Sequence, residues 1–552
     1  MTHQRAIGAI IGVFLFITCG GWAGQAAAQV RVDVGPVHVH VGESEPPPPD
    51  VVVVLTRGPV HEAFAEPVIF DQGPAFMISR PPPPPIDEIV PDERPAGTHI
   101  LWVPGYWNWD TDRNDFIWIS GCWRAVPPRG SWVPGYWAQG QGGYQWIAGF
   151  WTTADTDEIE YLPAPPPTME MGPQGAGSPD TVWIPGCWVR QGGRYAWRAG
   201  FWEVARANWV WVPSQYVATP RGFVYVDGYW DYPLERRGMA FMPVYCPPSV
   251  YGREGFRYSP TIALDLDGLT LNLFIAPGRH HYYFGDYYGP VYAREGYHPW
   301  YEARDRHNYY DPIFVHQRWQ HRDDHQWVEH QRKGYDRRRD DKDLRPARTY
   351  DAMRAQEARL PEKDRKQVRM ARPMKEVVEE KGRPVKYEAV DTKTRERTAK
   401  QAKDVRAYQH ERSQWEAPAA AAKAGQERKE GPTKETVTPR ETPRTPAKES
   451  PREPEKKEPA ADAGARTADR AVVAKEQPAA EDVQPRKVKI PKSPVAVREP
   501  VADKDQTPPA RPEHPKADSS IQPRGSKADA ADRSNDDDNK DKDKDKPESK
   551  KK

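Results

Sequence analysis

The chain has 552 residues with 80 Lys and Arg against 79 Asp and Glu, a formal charge of +1, so no overall pull toward polyanions follows and the composition argues against a dedicated nucleic-acid binder. Glycine (41) and proline (60) are abundant, only 37% of residues are apolar, and mean hydropathy is -0.87, which excludes a single hydrophobic core running the whole length. Of 21 tryptophans, sixteen fall between Trp102 and Trp230, so packing is expected to concentrate there.

Residues 1–28 carry Arg5, an apolar run from Ala6 to Ile17 and the small residues Ala26, Ala27 and Ala28. This is the three-part order of a secretory signal peptide, with cleavage fitting after Ala28 and an uncleaved anchor as the alternative. The run is shorter than the roughly 20 apolar residues that span a bilayer, and no later segment is apolar enough to cross one. Cys19 lacks a leucine three positions before it, which weakens a lipoprotein reading. An exported protein of a bacterial envelope, periplasmic or at the cell surface and not integral to a membrane, is the expectation. Without Cys19 three cysteines remain, Cys122, Cys187 and Cys246, enough for one internal disulfide at most.

Residues 29–96 read as strand segments separated by proline spacers: Val30 to Val41 alternates apolar and polar residues, and proline runs follow Glu45 and begin at Pro81. Two repeat blocks follow, 97–160 and 181–237, joined by a Pro/Gly linker at 161–180. WVPGYW stands at Trp102, WISGCW at Trp118, WVPGYW at Trp132, WIAGFW at Trp146, WIPGCW at Trp183 and WRAGFW at Trp197, with degenerate copies at Trp211 and Tyr225. Within a block the spacing is 14 to 16 residues. Pro-Gly inside a copy reads as a turn with glycine at positive φ, and the Gly-rich stretches WAQGQGGYQW and WVRQGGRYAW read as hairpin tips. The expected fold is mainly β: short antiparallel Trp-rich hairpins in a meander, small barrel or sandwich, with indoles stacking across strands.

The repeat resembles that of the WxxGxW (YxWGxW) proteins of bacterial envelopes, whose longer form stands at Tyr144 to Trp151 and Tyr195 to Trp202. RGPVHEAFAEP from Arg57, the proline run at Pro81 and YYFGDYYG from Tyr282 extend the likeness over about the first three hundred residues. The resemblance implies an envelope location and transfers no activity.

A Tyr/His-rich β unit is expected at 238–312, where IALDLDGLTLNLFI from Ile262 reads as a hairpin around Asp267 and Gly268. Residues 313–415 are charged and partly helical, with helices expected at Ala352 to Arg359 and Lys393 to Trp415. From residue 416 to 552 there is no Phe, Trp, Tyr or Leu, so this stretch reads as a disordered Pro/Lys/Glu/Ala tail.

Trp107, Trp109, Trp123, Trp137, Trp151, Trp188, Trp202 and Trp209 are the candidate aromatic platform for a glycan, set against the reading that the indoles simply pack. Cys122 and Cys187 occupy the slot filled by Tyr or Phe in other copies, which leaves a disulfide between the blocks open. His321 and His325, read on one helix face near Asp324 and Glu329, are a weak candidate for a divalent metal against a solvated polar face. No nucleophile elbow, phosphate loop, zinc-protease or calcium-loop pattern is present, and no cofactor is expected. The functional expectation is therefore a non-catalytic envelope protein with a structural or adhesive role toward an envelope polymer or protein. A glycan-binding module is the alternative, and a metal enzyme using the His-rich segment the weaker one.

Overall fold

The computed structural model describes residues 50–71, 76–140, 142–304, 306–417, 485–498 and 508–518. The signal-peptide reading and the alternating segment from Val30 lie outside them, as does most of the stretch read as tail.

The repeats pair two by two into four long antiparallel hairpins, each bent once per arm. In the first, Ile100–Val103 pairs with Cys122–Ala125, and beyond the bend Tyr106–Asp110 pairs with Asp115–Ile119. Gly130–Val133 with Phe150–Thr153 and Tyr136–Gly140 with Gly143–Ile147 form the second. The third joins Thr181–Ile184 to Phe201–Val204 and Cys187–Gln191 to Arg194–Arg198, and the fourth joins Val210–Val212 to Tyr229–Asp231 and Gln215–Thr219 to Gly222–Val226. The degenerate copies at Trp211 and Tyr225 therefore fold as the others do.

This register puts tryptophan opposite tryptophan seven times. Trp102 faces Trp123, Trp107 faces Trp118, Trp132 faces Trp151, Trp137 faces Trp146, Trp183 faces Trp202, Trp188 faces Trp197 and Trp211 faces Trp230. Ring centroids lie 5.0 to 5.7 Å apart, mostly edge to face, the arrangement the ring quadrupole favours. Tyr216 and Tyr225 make the eighth pair at 5.2 Å.

The Pro-Gly dipeptide is not the chain reversal expected of it. The arm continues across the bend, and the repeat glycines are not among those with positive φ. They are glycine because the first indole of the partner copy lies on them. A Cβ at Gly149 would sit 2.4 Å from Cζ2 of Trp132, one at Gly135 2.5 Å from Cζ2 of Trp146, and Gly121, Gly186, Gly200 and Gly228 are covered in the same way. Positive φ is used at a true tip, Gly192 (55°) and Gly193 (81°), between Cys187–Gln191 and Arg194–Arg198, as a two-residue turn of matching twist requires.

Strand exceeds helix, 33% against 25%, and the class is mainly β built from antiparallel hairpins. Among the described residues the strands form open sheets of two to four strands rather than one closed barrel. The stretch from Ile262 departs from its expected hairpin. Ile262–Leu264 pairs instead with Ala371–Pro373, and Leu266–Leu271 is a short helix whose N-terminus is capped by Asp265 accepting the Gly268 N–H. Leu273–Ala276 pairs with His281–Phe284, flanked by Gly58–Pro59 and His298–Pro299. Helices run over Pro312–Gln320, Trp327–Asp340, Tyr350–Arg359 and Thr392–Trp415, the last two close to the expected ranges. No helix among the described residues is long and apolar enough to cross a membrane.

One buried cluster takes Phe64, Trp132, Trp151, Ile275, Phe314, Met353, Val405, Val495 and Val497 together, so it draws on segments far apart in sequence. Two stretches of the residues read as tail are part of this packing. Arg486–Lys489 adds a strand beside Glu158–Leu162, Val495 is wholly buried, and its carbonyl accepts the Trp132 N–H at 2.8 Å. The lack of aromatics there does not prevent docking, because the added strand uses backbone pairing and two valines suffice to fill the space. A buried ion network ties the first hairpin to the fourth: Arg124 donates to both oxygens of Asp231 at 2.6 and 2.7 Å, and Arg237 lies 3.0 Å from the same carboxylate.

Candidate functional site

A bend interrupts the strand ladder, so the peptide groups on either side need partners from elsewhere. Carboxylates provide them, Glu62 buried and Glu88 and Glu170 half-buried. Glu88 accepts the N–H groups of Gly105 (2.9 Å) and Gly121 (2.8 Å) and the indole N–H of Trp118 (2.8 Å). Glu62 does the same in the second hairpin for Gly135 (3.0 Å), Gly149 (3.0 Å) and Trp146 (3.1 Å). In the third, Glu170 accepts Gly186 at 2.5 Å and Trp183 at 3.0 Å. The fourth hairpin has Ser214 in the first glycine position, and its Trp211 Nε1 is buried with no hydrogen-bond partner among the described residues.

The proline runs have a matching role. The carbonyl of Pro84 accepts the indole N–H of Trp107 at 2.8 Å, and that of Pro167 accepts Trp188 at 2.9 Å. In the second hairpin the far side of both bends is held by the helix Thr392–Trp415: the fully buried Arg412 donates to the carbonyls of Pro134 (2.8 Å) and Ala148 (3.0 Å) and to Glu416 (3.0 Å). The two bend peptides are thus gripped between Glu62 on their N–H side and Arg412 on their C=O side.

Burial pushes the Glu62 carboxyl up to about 7 against the pull of its three donors, and raises Glu88 as well. His61, buried beside Pro104, is lowered to about 4. His61 and Glu62 border a cavity of about 270 Å³ under the helix Thr392–Trp415. Both Glu62 oxygens are taken by the bends, so this carboxylate is arranged for holding the backbone rather than for proton transfer to a ligand.

Of the eight tryptophans read as a platform, Trp107, Trp109, Trp123, Trp151, Trp188 and Trp209 are buried, at 9% exposure or less, so they cannot present open faces. Small hairpins have few other large side chains, and the rings are consumed as core. Trp137 and Trp202 are half-buried. Each belongs to a pair whose second member is also half-buried, 137 with 146 and 183 with 202, and each pair faces a cavity.

The larger of these cavities is a groove of about 470 Å³ between the third hairpin and the helix Pro312–Gln320. Trp183 and Trp202 meet there at 73°, Trp319 lines the opposite side, and Arg306, Arg318 and Arg322 reach it. Glu170 and Asp311 are its carboxylates. Asp311 caps the helix by accepting the N–H groups of Ile313 (2.9 Å) and Phe314 (3.0 Å) and also takes the Tyr282 hydroxyl at 2.5 Å; burial raises it to about 6. An aromatic corner beside guanidinium groups suits a ligand with both an apolar face and polar edges.

Cys122 and Cys187 are free buried thiols, as is Cys246, so the disulfide between the blocks is not formed. Cys122 belongs to the large common core, where burial raises its thiol strongly. His321 and His325 do not share a helix face: the helix ends at Gln320, with His321 as its C-cap, and the next begins at Trp327. His321 stacks on Trp327, and no group of three His, Cys, Asp or Glu side chains among the described residues is arranged to hold a metal ion.

No known protein family, curated protein or solved structure matches the chain. The carboxylates at 88 and 170 were missed by sequence reasoning although a signal exists: each follows a proline run and precedes the first tryptophan of a hairpin by 14 (102 − 88) or 13 (183 − 170) residues. Glu62 has no such local cue.

Proposed function

We propose that the chain is an exported, non-catalytic envelope protein whose tryptophan hairpins form a rigid scaffold for structural or adhesive contact with an envelope polymer or protein. The observation that carries this reading is the use made of the repeat residues. Indoles, glycines and their carboxylate partners are spent on each other, and Glu62, whose acidity is strongly altered beside a cavity, has both oxygens engaged by bend N–H groups and the Trp146 indole. The apolar leader ending at Ala28 and the resemblance to WxxGxW proteins support the location. Cell fractionation followed by crosslinking in intact cells tests it: the protein should be recovered outside the cytoplasm, joined to an envelope component. Recovery from the cytoplasm alone overturns the reading.

A glycan-binding module is the second reading, favoured by the half-buried Trp183 and Trp202 at the groove. Titration with soluble oligosaccharides, followed by tryptophan fluorescence, should then give a saturable change; a flat response removes it.

A further inference from the structure

The groove between the third hairpin and the helix Pro312–Gln320 is asymmetric in charge. Of its two carboxylates, Glu170 takes Trp183, Gly186 and the N–H of Gly172 at 2.7 Å, and one oxygen of Asp311 takes two helix N–H groups and a tyrosine hydroxyl while its Oδ2 is buried without a partner among the described residues. Three guanidinium groups, of Arg306, Arg318 and Arg322, reach the same groove, and none pairs with either of these carboxylates. Arg306 is shared with Glu302 at 3.1 Å, outside the groove lining, and Arg322 with Asp180 at 3.3 Å, whose side chain is 74% exposed. Such solvent-facing pairs hold weakly. Arg318 donates only to the carbonyl of His321, at 3.2 Å, and pairs with no carboxylate among the described residues. Beside it, the Trp319 indole N–H is buried with no hydrogen-bond partner among the described residues, so a further donor is unspent.

We infer that this groove binds a carboxylate-bearing saccharide, with the sugar rings against Trp183 and Trp202 and the carboxylate on the Arg318 fork. The inference rests on the glycan reading and narrows it to a charge class. Flat indole surface recognises the apolar face of a sugar ring, and a planar guanidinium matches a planar carboxylate in two parallel hydrogen bonds. A neutral sugar filling the same groove would strip water from Arg318 without replacing its hydrogen bonds. The volume, about 470 Å³, lies within the range of small-ligand sites and admits a short oligosaccharide.

Calorimetric titration of the full chain with trigalacturonic acid and, separately, with maltotriose tests this, using wild type, Arg318→Gln and Arg318→Lys, each checked for an unchanged circular dichroism spectrum. Trigalacturonate should bind, more weakly at high salt, with affinity falling about tenfold in Arg318→Gln and by less in Arg318→Lys, which keeps the charge and loses the fork. Maltotriose should bind at least tenfold more weakly than trigalacturonate, by the same loss of a charged hydrogen bond. Equal affinity for the two sugars, or trigalacturonate binding indifferent to Arg318→Gln, overturns the carboxylate assignment and leaves the glycan reading standing. Binding of neither sugar overturns both.

Discussion

At Gly149 the approach of Trp132 decides which residue the chain tolerates, since a single methyl group would lie 2.4 Å from the indole. Gly193 is the contrast, with φ at 81° and nothing within 4 Å of a built Cβ. Alanine at 149 is therefore expected to lower unfolding free energy by about 2–3 kcal/mol through overpacking, and alanine at 193 by about 1 kcal/mol through left-handed backbone, both measurable by urea unfolding. Glu62 offers a pH test. Its carboxyl titrates near 7 in the fold and near the ordinary value of 4.5 when unfolded, so the folded state holds the proton more tightly and this residue's contribution to stability falls as pH rises from about 4.5 to 7. Glu62→Gln removes that dependence. Wild type should therefore lose about 2–3 kcal/mol of stability relative to this variant between pH 5 and pH 8, measured by urea unfolding at both pH values.

The bent hairpin and the helix Thr392–Trp415 were legible to different degrees. Hairpin tips were readable because Gly192 and Gly193 demand a tight reversal, and tryptophans at equal distances from a tip must meet across it. The bend was misread because Pro-Gly carries the same letters whether glycine supplies positive φ or merely room for an indole. The stretch from Ile262 alternates as a strand does, yet Asp265 caps a helical turn and the alternation yields to that local hydrogen bond. Of the long helix, its range was readable and its purpose was not, since its inward face is Thr398, Ala402, Val405, Tyr408 and Arg412 rather than an apolar stripe. Arg412→Met should loosen the helix from the second hairpin, leaving the Pro134 and Ala148 carbonyls without their donor and Glu416 without its cation, held only by the Tyr136 and Tyr161 hydroxyls, and lower stability by about 3–5 kcal/mol in denaturant unfolding. Limited trypsin digestion with mass mapping should accordingly yield a resistant fragment that includes the helix Thr392–Trp415.

Across the whole molecule, the dominant core joins residues from Val60 to Val497, an arrangement that composition alone hides because the contributing segments are short and their surroundings polar. The candidate groove was likewise only partly legible: Trp202 was named as a platform residue, while the arginines of the groove come from a charged stretch with no periodicity to mark them. Val495→Asp places a charge where the side chain is wholly buried and should destabilise the repeat region by at least about 3 kcal/mol, seen as a lower thermal midpoint in tryptophan fluorescence. The carboxylates carry the farthest implication. Because Glu62, Glu88 and Glu170 all lie upstream of the hairpins they hold, a hairpin cut free at its own ends would keep its stacked rings and lose the anion that closes its bends. Lengthening such an array by duplicating the first or third hairpin, in nature or by engineering, would have to copy its proline-glutamate leader along with the aromatic arms, whereas the fourth, with Ser214 at its bend and no such carboxylate among the described residues, could be copied as arms alone.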